Sequence, residues 1–469
     1  MTKREVNMLS GSVFKGLLTV TMPIMVMNVL QSLYNILDMT MLKAASSDGL
    51  SAGAVGVSST LISLITGLLI GISAGNTVVI ARAIGRGDSE RVQRSIGTSI
   101  LFAMFGGALL SVIGIAFAPL FMRMLNCSDV LMESAVQYFR LYFLGVPLLM
   151  LYNFGAGILR AAGDTRRTMV YSLMGGAIKA GLTFLFVVVL GLNVLGVGIA
   201  TILSWGYMCF MCLRAIVKND GAVVLKRKHL RLYSGELREM LFIGVPTGAQ
   251  QALYSIANVI ITSTVNTFGE YATAGVAIAN TFDGLIYQLA MAPTYAVMPY
   301  VSQNVGNKNV KRALEAVWKG MLITLLIGGG GGALSALFST PLASLMSDHP
   351  VVLEYARQKM VIVSSMYFLM GINETLGVSL KGMRRPIVPM VCTMLFMCAI
   401  RFPWVYLVFP LVPSLSFLYL IWPIGWVASG ITLCFFFFPT VKRLKREFAP
   451  PQAEAEPLPA GNAPQSAKM

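Results

Sequence analysis

Residues 23–38 read PIMVMNVLQSLYNILD, and residues 246–261 read PTGAQQALYSIANVII. A shift of 223 lays Pro23 on Pro246, Ser32 on Ser255 and Asn35 on Asn258, but lays Asp38 on Ile261. The stretch is duplicated and its acid is not. With a shift of 221 the repeat continues: Ala81-Arg82-Ala83-Ile84-Gly85 overlays Ser302-Gln303-Asn304-Val305-Gly306, Glu133 overlays Glu354, and Leu159-Arg160 overlays Leu380-Lys381. Met169 meets Met390 without a gap.

What is duplicated is membrane-spanning. Of 469 residues, 56% are hydrophobic and 12% charged, and the mean hydropathy is +0.73; a soluble domain carries about 25% charged residues. Apolar runs of about 20 residues or more, each long enough to cross about 30 Å of hydrocarbon, occur twelve times, from 16–42 to 415–439. The repeat unit holds six of them, an even number. Both halves therefore enter from the same side, about an axis along the membrane normal, with the binding cavity expected between them. The sequence predicts an all-α integral membrane protein of twelve transmembrane helices in two parallel six-helix repeats. Its divisions are an N-lobe at 1–217, a basic cytoplasmic linker at 218–239, a C-lobe at 240–448 and a disordered cytoplasmic tail at 449–469.

The net charge of +16 would suggest a nucleic-acid partner in a soluble protein. Its distribution excludes that. Twenty-nine of the 36 Lys and Arg lie on the side of the N-terminus, and the opposite side holds only Lys43, Arg123, Arg140, Arg357 and Lys359. Lys179 and Arg401 lie within spans. Such asymmetry puts both termini in the cytoplasm of a multi-pass protein of the cell membrane. The first apolar segment has no small-residue cleavage site after it, so it reads as an uncleaved first helix. Cys127, Cys209, Cys212, Cys392, Cys398 and Cys434 lack disulfide-framework spacing and read as core filling. His229 and His349 are the two histidines and both fall in loops, which argues against a zinc site or histidine catalysis. No catalytic constellation, metal site or cofactor is expected. Gly67, Gly71 and Gly75 are spaced for close helix contact, and the run Gly328 to Gly332 lacks the context of a phosphate loop.

A charge inside a bilayer is costly, by about 2.5–3.5 kcal/mol at helix centre on insertion scales, so Asp38 is the first functional candidate. Tyr34 and Asn35 precede it by four and three residues and share its helical face. Pro23 frees a backbone carbonyl and permits bending. In the second half, Arg401 needs a partner, which Asp283 or Glu374 could supply, and Gln250 and Asn258 are further intramembrane polar candidates.

Several strings, in order, resemble the MATE family, the multidrug and toxic compound extrusion transporters. They are Pro23 with Gln31 to Asp38, Arg160-Ala161-Ala162-Gly163-Asp164-Thr165, Gly196-Val197-Gly198-Ile199-Ala200-Thr201, Gly244-Val245-Pro246 and Gln303-Asn304-Val305-Gly306. The resemblance spans about residues 16 to 446. It implies antiport, in which an organic and often cationic compound leaves while H⁺ or Na⁺ enters and the lobes rock between two states. It also implies that Asp38 is the cation-binding carboxylate, with Pro23 as the hinge fifteen residues before it.

The chain departs from the family at the ion site. Counting back from Thr201, the usual helix-five asparagine and aspartate positions hold Lys179 and Thr183, and Tyr254 stands where some members carry a glutamate. Sodium needs several oxygen ligands, whereas a proton needs one base, and a lysine near Asp38 would favour the charged carboxylate. The sequence therefore favours protons over sodium, in a monomer acting on small organic substrates. A lipid-linked oligosaccharide flippase of the same wider superfamily is the alternative, less favoured because flippases commonly have more spans or a more cationic cavity.

Overall fold

The computed structural model of the chain describes residues 5–45, 50–125, 127–218, 221 and 223–449, and within these leaves the side chains of 35, 36, 38, 39, 42–45, 50–53, 60 and 227 undescribed. The tail 450–469 lies outside the described residues. No strand occurs among them. Six long helices form the first half: α1 (Val13–Ala45), α2 (Leu50–Gly85), α3 (Ser89–Met124), α4 (Asp129–Ala161), α5 (Thr165–Val189) and α6 (Asn193–Val217). Six more form the second: α7 (Ser234–Asn266), α8 (Glu270–Gly306), α9 (Val310–Leu337), α10 (Pro350–Gly382), α11 (Ile387–Leu411) and α12 (Leu415–Glu447). Ten of these are apolar and long enough to span by composition alone. The other two, α7 and α8, are long enough but more polar along their length, and they complete the twelve-helix fold. α7 begins at Ser234, so positions 234–239, read from sequence as linker, are its first turns; the apolar pattern starts only at Met240.

Local structure repeats as the sequence does. The turn between second and third helices places Gly87 at φ +70° in one half and Lys308 at φ +58° in the other, and the turn between fourth and fifth places Gly163 at +83° and Arg384 at +65°. A side chain in the left-handed region is unfavourable by about 1–2 kcal/mol, so the turns at Lys308 and Arg384 are held by the tertiary fold rather than by local preference. Asp88 caps α3 by accepting from the Arg91 amide at 2.9 Å, and Asn309 caps α9 by accepting from the Arg312 amide at 3.0 Å.

The halves meet along α2 with α7 and, by the same symmetry, along α8 with α1. At the end of the bundle that carries the basic loops the meeting is tight. The Glu239 carboxylate on α7 receives Arg82 at 2.5 Å and Arg91 at 2.6 Å from the first half, and Arg384 of its own half at 3.4 Å. Gln303 donates to the Ala161 carbonyl at 2.6 Å, and Arg312 reaches the carbonyls of Met8, Ser10 and Gly11 at 2.7–2.9 Å, strapping the N-terminal segment to the second half. Deeper in, Gly71 packs on the backbone of Thr247 and Gly248, and Gly75 on that of Met240 and Gly244. Of the three glycines expected at a close contact, Gly71 and Gly75 make it, whereas Gly67 has only the Gln251 side chain nearby, at 3.4 Å. A methyl group at Gly71 would sit 2.7 Å from the Thr247 carbonyl carbon, so Gly71→Ala is expected to lose about 1–3 kcal/mol by overpacking. A thermal scan in detergent reads this as a lowered midpoint; an unchanged midpoint would mean that the two helices part freely there.

Candidate functional site

Beyond this seal, the second half contains a cavity of about 450 Å³ between α7, α8, α10, α11 and α12, whose lining on α7 runs from Gln251 to Val265. Helical spacing brings Gln251, Tyr254, Ser255 and Asn258 to one side of α7. From the other helices come Asn280 and Asp283 on α8, Lys359 and Glu374 on α10, Arg401 on α11, and Trp422 and Trp426 on α12.

The charges pair differently from the sequence-based expectation. Asp283 does not meet Arg401: its Oδ2 takes the Lys359 ammonium at 2.9 Å and its Oδ1 the Ser364 hydroxyl at 2.6 Å, while Lys359 also donates to Asn280. Glu374 does not meet Arg401 either; its Oε1 accepts from the Tyr254 hydroxyl at 3.2 Å. Arg401 donates instead to the Asn258 side-chain oxygen at 2.9 Å and lies 5.2 Å from the centre of the Trp422 ring. Lys359, assigned by sequence to the outer surface, is 4% exposed. It stands nine residues into α10, two turns and more past the helix start, and that depth buries a charge counted on the opposite side of the membrane. Sequence reasoning missed Lys359, Asn280 and Trp422 as site residues; the available signal was a lysine at helical depth in an apolar segment. Gln250 is buried but does not line the cavity, which takes its neighbour Gln251.

In the first half, α1 lies against α5. The Tyr34 hydroxyl donates to the Leu173 carbonyl at 3.3 Å, and its ring fills the space over Gly176, where a side chain would collide with it. Ser204 of α6 donates to the Gly175 carbonyl at 2.8 Å and ties that helix to the same place. Lys179 is half-buried and Thr183 fully buried on α5, while Thr201 on α6 bonds back to Val197 at 2.8 Å. Pro23 falls within the continuous α1, as a hinge candidate must. The side chains of Asn35 and Asp38 lie outside those described, so these two sites are fixed only along the α1 backbone. Among the described residues no group of three or more His, Cys, Asp or Glu could hold a metal.

Comparison with known proteins agrees with this architecture. The MatE family model matches the chain twice, over residues 23–185 and 246–407, one match to each half. The probable multidrug resistance protein YoeA of Bacillus subtilis is 25% identical over 405 residues, which cover 84% of this chain and 86% of that protein. The probable multidrug resistance protein NorM of Thermotoga maritima is 26% identical over 395 residues, covering 83% and 84%. In fold, a MATE crystal structure in complex with MaL6 aligns with a TM-score of 0.88 at 22% identity, over 95% of this chain and 100% of that one. A transporter of the MOP superfamily from Pyrococcus furiosus, described as having a binding pocket of reverse polarity, also aligns at 0.88 and 22% identity, over 95% and 99%. Twice-matched and twelve-helical, the chain belongs to the MatE family and is a membrane transporter rather than an enzyme.

Proposed function

We propose that this transporter is a secondary active exporter, which moves small organic and often cationic compounds out of the cell in exchange for protons, with Asp38 as the proton-carrying group. The observation that carries the reading is the close packing of α1 on α5 at Tyr34 and Gly176. From there α1 runs on to Asp38, four residues past Tyr34, and α5 to Lys179, three past Gly176. An acid near an ammonium is a two-state element: protonation removes the attraction, and α1 is then released to bend at Pro23. The multidrug-resistance names of the relatives support an export role. The concentration of Lys and Arg at the sealed end supports a cytoplasmic placement of both termini in a cell-membrane protein, and the proposed working unit is the monomer. The structure is then closed toward the cytoplasm.

Protons suit the site better than sodium. Lys179 and Thr183 stand where amide and carboxylate oxygens would be needed, and a desolvated sodium ion beside an ammonium lacks ligands. Efflux from proteoliposomes is therefore expected to follow an imposed pH gradient and to be indifferent to a sodium gradient at clamped pH. Robust sodium-driven transport would refute the proton assignment.

A further inference from the structure

The second half has a cation next to the counterpart of Lys179 but no counterpart of the Asp38 acid. Asn258 on α7 corresponds to Asn35 on α1, and Arg401 on α11 falls within one residue of the position that corresponds, by the shift of 221, to Lys179 on α5. The counterpart of Asp38 is Ile261, which is 3% exposed and lines the cavity of the second half. That half therefore has an amide and a guanidinium where the first half has an amide, an ammonium and a carboxylate.

Arg401 is 2% exposed, and among the described residues no carboxylate forms an ion pair with it. Of its five N–H donors, one hydrogen bond is made, to Asn258. The two carboxylates of the cavity are engaged elsewhere, Asp283 by Lys359 and Ser364 and Glu374 by Tyr254. A buried guanidinium is stable only when hydrogen-bonded and balanced by charge, and its planar fork matches a carboxylate or phosphate in two parallel bonds. The walls beside it are aromatic: Tyr254, Tyr287, Trp422 and Trp426 all line the same space. A volume of about 450 Å³ lies within the range of small-molecule sites.

We propose that the cavity of the second half binds a flat aromatic compound bearing a carboxylate or phosphate, with Arg401 holding the anionic group and the tyrosines and tryptophans holding the ring. The ligand supplies the acid that position 261 lacks. The transport of such a ligand rests on the exporter reading; its binding does not.

Binding to the purified full-length protein in detergent, followed by dye anisotropy without any ion gradient, tests the proposal. Carboxyfluorescein and methylumbelliferyl phosphate serve as the carboxylate and phosphate probes, and ethidium as a flat cation. At least one anionic probe is expected to bind saturably and at least ten-fold tighter than ethidium, and the stronger of the two identifies the preferred group. Arg401→Gln should weaken that probe at least ten-fold, and Arg401→Lys, which keeps the charge and loses the fork, by less. Asn258→Asp is the variant that spares the fold: it changes one amide to a carboxylate 2.9 Å from Arg401 and should weaken the anionic probe at least ten-fold while leaving ethidium no weaker. The proposal is overturned if neither anion binds wild type at least ten-fold tighter than ethidium, or if Asn258→Asp leaves the affinity of the tighter anion unchanged. Binding that survives in a protein unable to move any dye in proteoliposomes would instead refute the exporter reading alone.

Discussion

Asp38→Asn protein is expected to reach the membrane in normal amount and to export no cationic dye above the level of vesicles without protein. Asparagine keeps the shape of the side chain and removes the group that takes up a proton, so the variant separates coupling from folding. Asp38→Glu, which retains a titratable acid one methylene longer, should keep partial activity. The measurement is dye efflux from proteoliposomes under an imposed pH gradient, with protein content normalised by the amount inserted. Full efflux in Asp38→Asn would remove Asp38 from the coupling step and leave the exporter without an identified proton carrier.

The largest effect on stability is expected at the second half's ion pair. Lys359 and Asp283 are 5% and 9% exposed in their side chains and 2.9 Å apart. Removing one partner of such a pair leaves an uncompensated buried charge, so Lys359→Met should destabilise the protein by about 3–5 kcal/mol. Replacing both, as Lys359→Met with Asp283→Leu, should recover most of that loss, because an apolar pair of similar volume needs no desolvated charge. Thermal unfolding in detergent checks both variants. A single mutant as stable as wild type would mean that water reaches Asp283 and that the pair is not dry.

The sequence made the fold legible because a bilayer leaves few choices: long apolar runs must be helices, and their even number per repeat sets the parallel arrangement. The glycines of α2 were legible for a related reason, since only a missing side chain lets backbones approach as Gly71 and Thr247 do. Partners in the cavity were not legible. Sequence gives the depth of Asp283, Glu374, Lys359 and Arg401 along their helices, but pairing depends on how each helix is rotated about its own axis, which packing decides. Asp283 was read against Arg401 because both are intramembrane charges; α8 and α10 turn it toward Lys359 instead. The coupling site remains an expectation from residue types along α1 and α5.

The glycines at the sealed end have a consequence for ancestry. Gly85 packs on the backbone of Gln303, and Gly306 packs on the backbone of Arg82. Since 85 corresponds to 306 and 82 to 303, each contact is the image of the other under the exchange of halves. This is an isologous interface, the self-complementary kind that two identical subunits form about a dyad. A six-helix chain carrying this one patch could have closed the same seal as a homodimer before the halves were fused.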